Sequence, residues 1–115
     1  MKQSSWSKLF PSTVTFIEEA KKDFLDLDHT QQVLVAKAIK KVSENPAPAS
    51  EGGYGKPLGN RASSKLAGYL KIKLKHSGLR VVYRYVKTNR GMKVIVIDIR
   101  DEEVVYEEAI RRLQK

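Results

Sequence analysis

Lys71, Lys73 and Lys75 alternate with Leu70, Ile72 and Leu74. Alternate residues of a strand share a face and lie about 7 Å apart, so the three ammonium groups would form a row of like charge, with the apolar set on the other side. After His76-Ser77-Gly78, the run Leu79 to Val86 returns beside this stretch. Pairing Lys75 with Arg80 sets Leu74 against Val81, Ile72 against Tyr83 and Leu70 against Tyr85, and it adds Arg80 and Arg84 to the cationic face. A shift by one residue would oppose lysines to apolar side chains. A cationic row costs folding energy unless an anion lies across it. All 13 acidic residues lie at or before Glu51 or at or after Asp98. Residues 52–97 therefore carry eleven lysines and arginines, Arg61 and Lys65 among them, with no carboxylate, in a chain of net charge +9. This is the electrostatic footprint of a protein that binds a polyanion.

The residue types also limit the chemistry. With no cysteine, disulfides, zinc ribbons, iron–sulfur clusters and cysteine nucleophiles are excluded. His29 stands in an acidic turn between helices and His76 in the hairpin loop, neither a promising acid–base position; no Asp/His cluster suggests a metal, so no cofactor is implied. Arg100 ends an apolar strand and Tyr106 falls in the first turns of a final helix, from which both could reach the cationic face. Each has a structural alternative. Arg100 could pair with Asp101 or Glu103, and Tyr106 shares an apolar stripe with Ile110 and Leu113.

These side chains need a frame, and 115 residues suit a single domain spanning 1–115. An apolar fraction of 41% and a charged fraction of 30% are those of a soluble globular protein. The longest apolar run, Val94-Ile95-Val96-Ile97, is far too short to span a bilayer, and Met1 to Lys8 has no signal-peptide core, so a cytoplasmic location is expected. Lys8 to Phe16, interrupted by Pro11, reads as an edge strand. Phe16, Ala20, Phe24 and Leu27 recur at helical spacing, with Glu18 and Glu19 in the first turn. After a break at Asp28-His29-Thr30, a second helix carries Val35, Ala36, Ile39 and Val42 and ends at Asn45-Pro46. Asn45 to Gly68 reads as a long loop anchored by Leu58 and Leu66. Lys93 to Arg100 is apolar on both faces, as in a buried strand. Asp101 can cap a last helix, with Glu102 and Glu103 at its start and Arg111, Arg112 and Lys115 at its end. The expected architecture is α+β, a four-stranded, mostly antiparallel sheet with an N-terminal helical hairpin and a C-terminal helix.

The stretch Gly68 to Arg84, followed by Val94 to Arg100 and then by Glu103 to Ala109, resembles the RelE-type toxins of the RelE/ParE superfamily. The order of strand, helical hairpin, strands and final helix is similar too, so the resemblance covers nearly the whole domain. It implies a RelE-like fold and the toxin half of a type II toxin–antitoxin pair, acting as a ribosome-dependent, metal-independent mRNA endoribonuclease. The family's functional side chains match at Lys71, Lys73, Arg80, Arg100 and Tyr106, a set that gyrase-poisoning ParE-like relatives generally lack. The chain departs from the family pattern in its longer start and its longer Gly/Ser/Pro loop.

Such cleavage uses the ribose 2′-OH as nucleophile on the adjacent phosphate. The site must take that proton, neutralise a dianionic transition state and protonate the leaving 5′-oxygen. By the resemblance, Tyr106, with Lys71 or Lys73, takes the 2′-OH proton. Arg80 and the lysines hold the phosphate, and Arg100 stabilises or protonates the leaving side. Lys75, Arg84, Lys65 and Arg61 are expected to bind RNA along the cationic surface. The implied partners are mRNA, the ribosomal A site and a cognate antitoxin whose acidic segment covers the Lys71 to Arg84 face; no membrane or small-molecule substrate is implied. Two other readings stay open, a non-catalytic RNA-binding module and a ParE-like inhibitor of gyrase.

Overall fold

The computed structural model describes residues 9–58 and 64–114. The chain runs through β1 (Val14–Phe16), α1 (Glu18–Asp26), α2 (His29–Ser43), β2 (Lys56–Pro57), β3 (Tyr69–Leu74), β4 (Leu79–Val86), β5 (Gly91–Asp98) and α3 (Glu102–Leu113). Helix α2 begins one residue after Asp28, which forms a capping box with Gln31: its carboxylate accepts from the Gln31 amide at 2.8 Å, and the Gln31 side chain accepts from the Asp28 amide at 3.2 Å. His29, expected in a break, is thus the first helical residue. Helix α3 starts as expected, with the Asp101 carboxylate accepting from the Val104 amide at 3.2 Å.

The sheet has the order β1-β5-β4-β3-β2, antiparallel except for β1, which runs parallel to β5. It has five strands, not four. The additional strand is β2, two residues of the Gly/Pro/Ser-rich stretch that pair Lys56 with Lys71 and Pro57 with Leu70. Two residues carry no readable period, and the sheet edge suits a proline that has no N–H to give.

The central hairpin corrects the expected register. The Ser77 and Gly78 amides both donate to the Leu74 carbonyl, at 3.2 and 3.1 Å, and Gly78 takes the left-handed conformation at φ 75°. The turn therefore closes on Leu74 opposite Leu79, with Ile72 opposite Val81, Leu70 opposite Tyr83 and Lys73 opposite Arg80. This is two residues away from the Lys75–Arg80 pairing. A slip of two keeps every side chain on its own face, so the period-two pattern is blind to it and the turn decides.

Both faces of the sheet are covered. Phe24 of α1 and Val35 and Ile39 of α2 share a core with Leu70, Leu79, Val81, Tyr83, Val94 and Ile97. On the opposite face, Val105, Tyr106 and Ala109 of α3 pack with Leu58, Leu66, Val82, Ile95 and Val96. The register of β4 with β5 shifts between Val82 and Tyr83, so Val82 faces Val96 while Tyr83 faces Val94, leaving Ile95 as an additional residue. This bulge turns Ile95 and Val96 toward the same core and explains why β5 does not alternate.

Beside the bulge, the end of α3 is clasped to α1. Arg112, whose side chain is only 8% exposed, reaches both Asp23 carboxylate oxygens at 2.7 and 3.0 Å, Glu108 Oε2 at 2.7 Å and the Ile95 carbonyl at 2.8 Å. Asp23 Oδ2 also accepts from the Ile97 amide at 3.0 Å, so the clasp takes up two backbone groups of β5.

The described part of the long loop is tied down. The buried Tyr83 hydroxyl donates to the Pro46 carbonyl at 2.8 Å, and the Ala49 amide donates to the Gly55 carbonyl at 2.8 Å. A Cβ on Gly55 would come within 2.5 Å of that hydroxyl. Leu58 and Leu66 are buried, as expected of anchors. Among the described residues, no helix is long and apolar enough to cross a membrane.

Candidate functional site

β3 and β4 carry Lys71, Lys73 and Arg80 on the face that α3 covers, and the start of α3 ends that cover. A cleft of about 450 Å³ opens there, lined by Lys73, Arg80, Asp101, Glu102 and Glu103. Lys71 reaches into the same region, its Nζ lying 3.2 Å from Glu102 Oε1 with both side chains mostly covered, 18% and 22% exposed. The hydrogen bond from Lys71 holds the Glu102 carboxyl below its ordinary range against some desolvation, and the charges of Arg80 and Lys73 act in the same sense. Lys73 is exposed and stands opposite Arg80 across the hairpin.

Arg80 is held by backbone rather than by a carboxylate. Its Nη1 donates to the Arg100 carbonyl at 2.9 Å, while its Nε is buried without a hydrogen-bond partner. The Arg100 guanidinium itself turns to Asp98, neither Asp101 nor Glu103, with Nε 2.8 Å from Asp98 Oδ2 and Nη2 bonded to the same oxygen. Asp98 also accepts from the Ile99 and Arg100 amides at 2.7 and 3.1 Å. Burial acts to raise the Asp98 carboxyl, but the Arg100 side chain and these two amides outweigh it and hold it below its ordinary range. Arg100 is therefore an exposed side chain beside the cleft that already has a carboxylate partner.

The remaining expected site residues divide. Tyr106 lies on the correct side of the sheet but inside the second core, 4% exposed, its hydroxyl donating to the Leu58 carbonyl at 3.3 Å. Lys75 falls in the hairpin turn, outside the strand row. Arg84 is exposed opposite Tyr69 and Lys93, four residues or roughly 13 Å along the strand from Arg80. Lys65 is exposed in a short 3₁₀ turn at Ser64–Leu66. Arg61 lies outside the described residues. Lys71, Lys73 and Arg80 thus come together, with Arg100 adjoining them through its backbone. No group of three or more His, Cys, Asp or Glu capable of holding a metal occurs among the described residues.

Glu102 and Asp98 were not singled out by sequence reasoning. The signal for Glu102 was present, because it precedes Tyr106 by four residues and so shares its helix face. Once Tyr106 is placed against the sheet, Glu102 is aimed at the lysines.

No family model matches the chain. A RelE-like toxin protein of Escherichia coli is 32% identical over 104 residues, which cover 88% of this chain and 96% of that protein. The fold is similar to the crystal structure of the isolated E. coli RelE toxin, with a TM-score of 0.61 and 28% identity over 87% of this chain and 96% of that one. It is also similar to the toxin in the intact E. coli RelBE toxin–antitoxin complex, with a TM-score of 0.57 and 26% identity over 76% and 95% of the two chains.

Proposed function

The chain belongs to the RelE-like toxin family, and on that premise we propose that it is a metal-independent endoribonuclease that cleaves mRNA on the ribosome and so arrests translation. The observation that carries this reading is the cleft lined by Lys73 and Arg80, with Lys71 joined to it through Glu102. A scissile phosphate in the cleft meets Lys73 and Arg80. The two cations neutralise the charge that develops on its oxygens. The Arg80 bond to the Arg100 carbonyl fixes the guanidinium before substrate arrives, and the exposed Arg100 guanidinium flanks the leaving side. Lys75, Arg84, Lys65 and Arg61 supply further positive charge for the RNA backbone. Tyr106 acts in this reading from beneath the cleft, seating α3 through its ring and its bond to Leu58.

A cognate antitoxin completes the proposal. E. coli RelE has a crystal structure in complex with its antitoxin RelB, and a mutant of that toxin has a structure in complex with a RelB peptide, which supports a protein partner here whose acidic segment covers the Lys71 to Arg84 face.

Primer-extension mapping of a translated mRNA, with and without ribosomes, tests the activity. Cuts are expected only with ribosomes, and they should vanish in Lys73→Ala and Arg80→Ala variants that melt like the parent. Ribosome or RNA binding without cuts would leave a binding module, and gyrase inhibition without cuts would leave a ParE-like toxin.

A further inference from the structure

Attack by a 2′-OH requires a group that takes its proton, a role the resemblance gives to Tyr106 with Lys71 or Lys73, but Lys71 already donates to Glu102 and a protonated cation has no lone pair to accept it. Lys73 and Arg80 are donors. The Tyr106 hydroxyl is enclosed and already donates to Leu58. Glu102, by contrast, lines the cleft and is fixed at one oxygen by Lys71 at 3.2 Å. Its other oxygen, Oε2, has no hydrogen bond among the described residues. A carboxylate anchored at one oxygen and open at the other is preorganised to accept a proton.

We propose that Glu102 is a catalytic residue, the general base of the RNA cleavage proposed above, on which this inference rests. As the 2′-oxygen bonds to phosphorus, its proton passes to the Glu102 carboxylate. The electron pair of the breaking P–O5′ bond stays on the 5′-oxygen, which takes a proton from the Lys73 ammonium. The products are a 2′,3′-cyclic phosphate and a free 5′-hydroxyl, and Glu102 loses its proton to water while Lys73 regains one from water. Lys71 and Lys73 are about 7 Å apart along β3, so Glu102, held at Lys71, and the Lys73 ammonium can flank a phosphorus whose attacking and leaving oxygens are in line. Lys71 is the positioning residue that holds the base.

The competing interpretation makes Glu102 only an internal anion that occupies the site until RNA displaces it, and the two predict opposite results. Single-turnover cleavage is measured on saturating programmed ribosomes, beside ribosome and RNA binding, for variants with matched thermal unfolding. For a general base, Glu102→Gln and Glu102→Ala each slow cleavage by about 10²- to 10⁴-fold with binding unchanged or tighter. Glu107→Gln, the same charge change at an exposed position of α3 outside the cleft lining, leaves the rate near that of the parent. An mRNA with sulfur in place of the bridging 5′-oxygen, whose leaving group needs no proton, restores cleavage to Lys73→Ala but not to Glu102→Gln. Cleavage by both Glu102 variants at the parental rate or faster, or equal slowing by Glu107→Gln, overturns the assignment. Failure of the parent to cut mRNA on ribosomes defeats the RNA-cleavage reading itself, whereas a parent that cuts beside unimpaired Glu102 variants removes Glu102 alone.

Discussion

Arg112 in the last turn of α3 and Glu102 in the first are both ion-paired, yet they are held in different ways. Arg112 is nearly enclosed and spends its donors on Asp23, Glu108 and the Ile95 carbonyl, so α1, α3 and β5 meet at one guanidinium. Glu102 has a single bond, to Lys71, at the edge of an open cleft. One helix thus carries a saturated anchor at one end and an unsaturated polar group at the other. Unsatisfied capacity is tolerable where a ligand or water can reach it and costly where it is buried, and this sorts stability to the C-terminal end and the proposed chemistry to the N-terminal end.

Replacing Arg112 tests the anchor most severely. Arg112→Met strands Asp23 beside an apolar side chain and should cost about 3–5 kcal/mol in urea unfolding. Lys71→Met at the other end should cost no more than about 1 kcal/mol, and equal losses would erase the contrast. Next in size is Arg80→Ala, expected to slow cleavage on ribosomes by about 10²- to 10³-fold, the usual loss for a donor that stabilises developing charge, while its melting temperature stays close to that of the parent. Tyr106 lies between the two ends. Tyr106→Phe keeps the ring and removes one hydrogen bond to a buried carbonyl, an expected loss of about 1 kcal/mol with cleavage essentially preserved; a large rate defect at full stability would return the hydroxyl to the chemistry.

The smallest effect concerns acid. The hydrogen bond from Arg111 holds the Glu108 carboxyl, against burial and with help from Arg112, at about 2 instead of 4.5. A depressed carboxyl stabilises the fold at pH values above its ordinary 4.5, and the contribution fades as pH falls toward 2. The stability difference between the parent and Glu108→Gln should therefore be constant at neutral pH and shrink between about pH 4.5 and 2, as read from urea titrations at each pH. A constant difference down to pH 2 would remove Glu108 from the anchor.

The sequence showed which face each hairpin residue takes, because alternation along Leu70 to Leu74 and Leu79 to Tyr83 survives any even slip. It did not show the register, which depends on the two bonds to the Leu74 carbonyl in the turn. The helices were legible from Phe24, Val35, Ile39 and the Asp101 cap. Strand β2 was not, since two residues borrow their conformation from β3. The cationic triplet Lys71, Lys73 and Arg80 was legible because it is local to one hairpin. Its counter-charge Glu102 was not, nor was Asp98, the partner of Arg100. Asp98 and Glu102 follow the basic stretch in sequence, and the run of 46 residues without a carboxylate suggested a bare cationic face. Folding α3 across that face brings Glu102 back to Lys71, so segregation along the chain is not segregation in space.

The parallel pairing of β1 with β5 has a consequence in time. Val14 lies opposite Met92 and Phe16 opposite Val94, so partners in this edge of the sheet are separated by most of the chain. Contacts that distant must wait for the intervening segment to be ordered, and they slow folding relative to local ones. During synthesis, β1 emerges early and has no partner until β5 has followed it out of the ribosome. The start of α3, with its share of the cleft, emerges later still. The polypeptide therefore cannot assemble its cleft until α3 has emerged, and under the proposed function the interval between the first strand and that helix is one in which the nascent chain cannot yet cut.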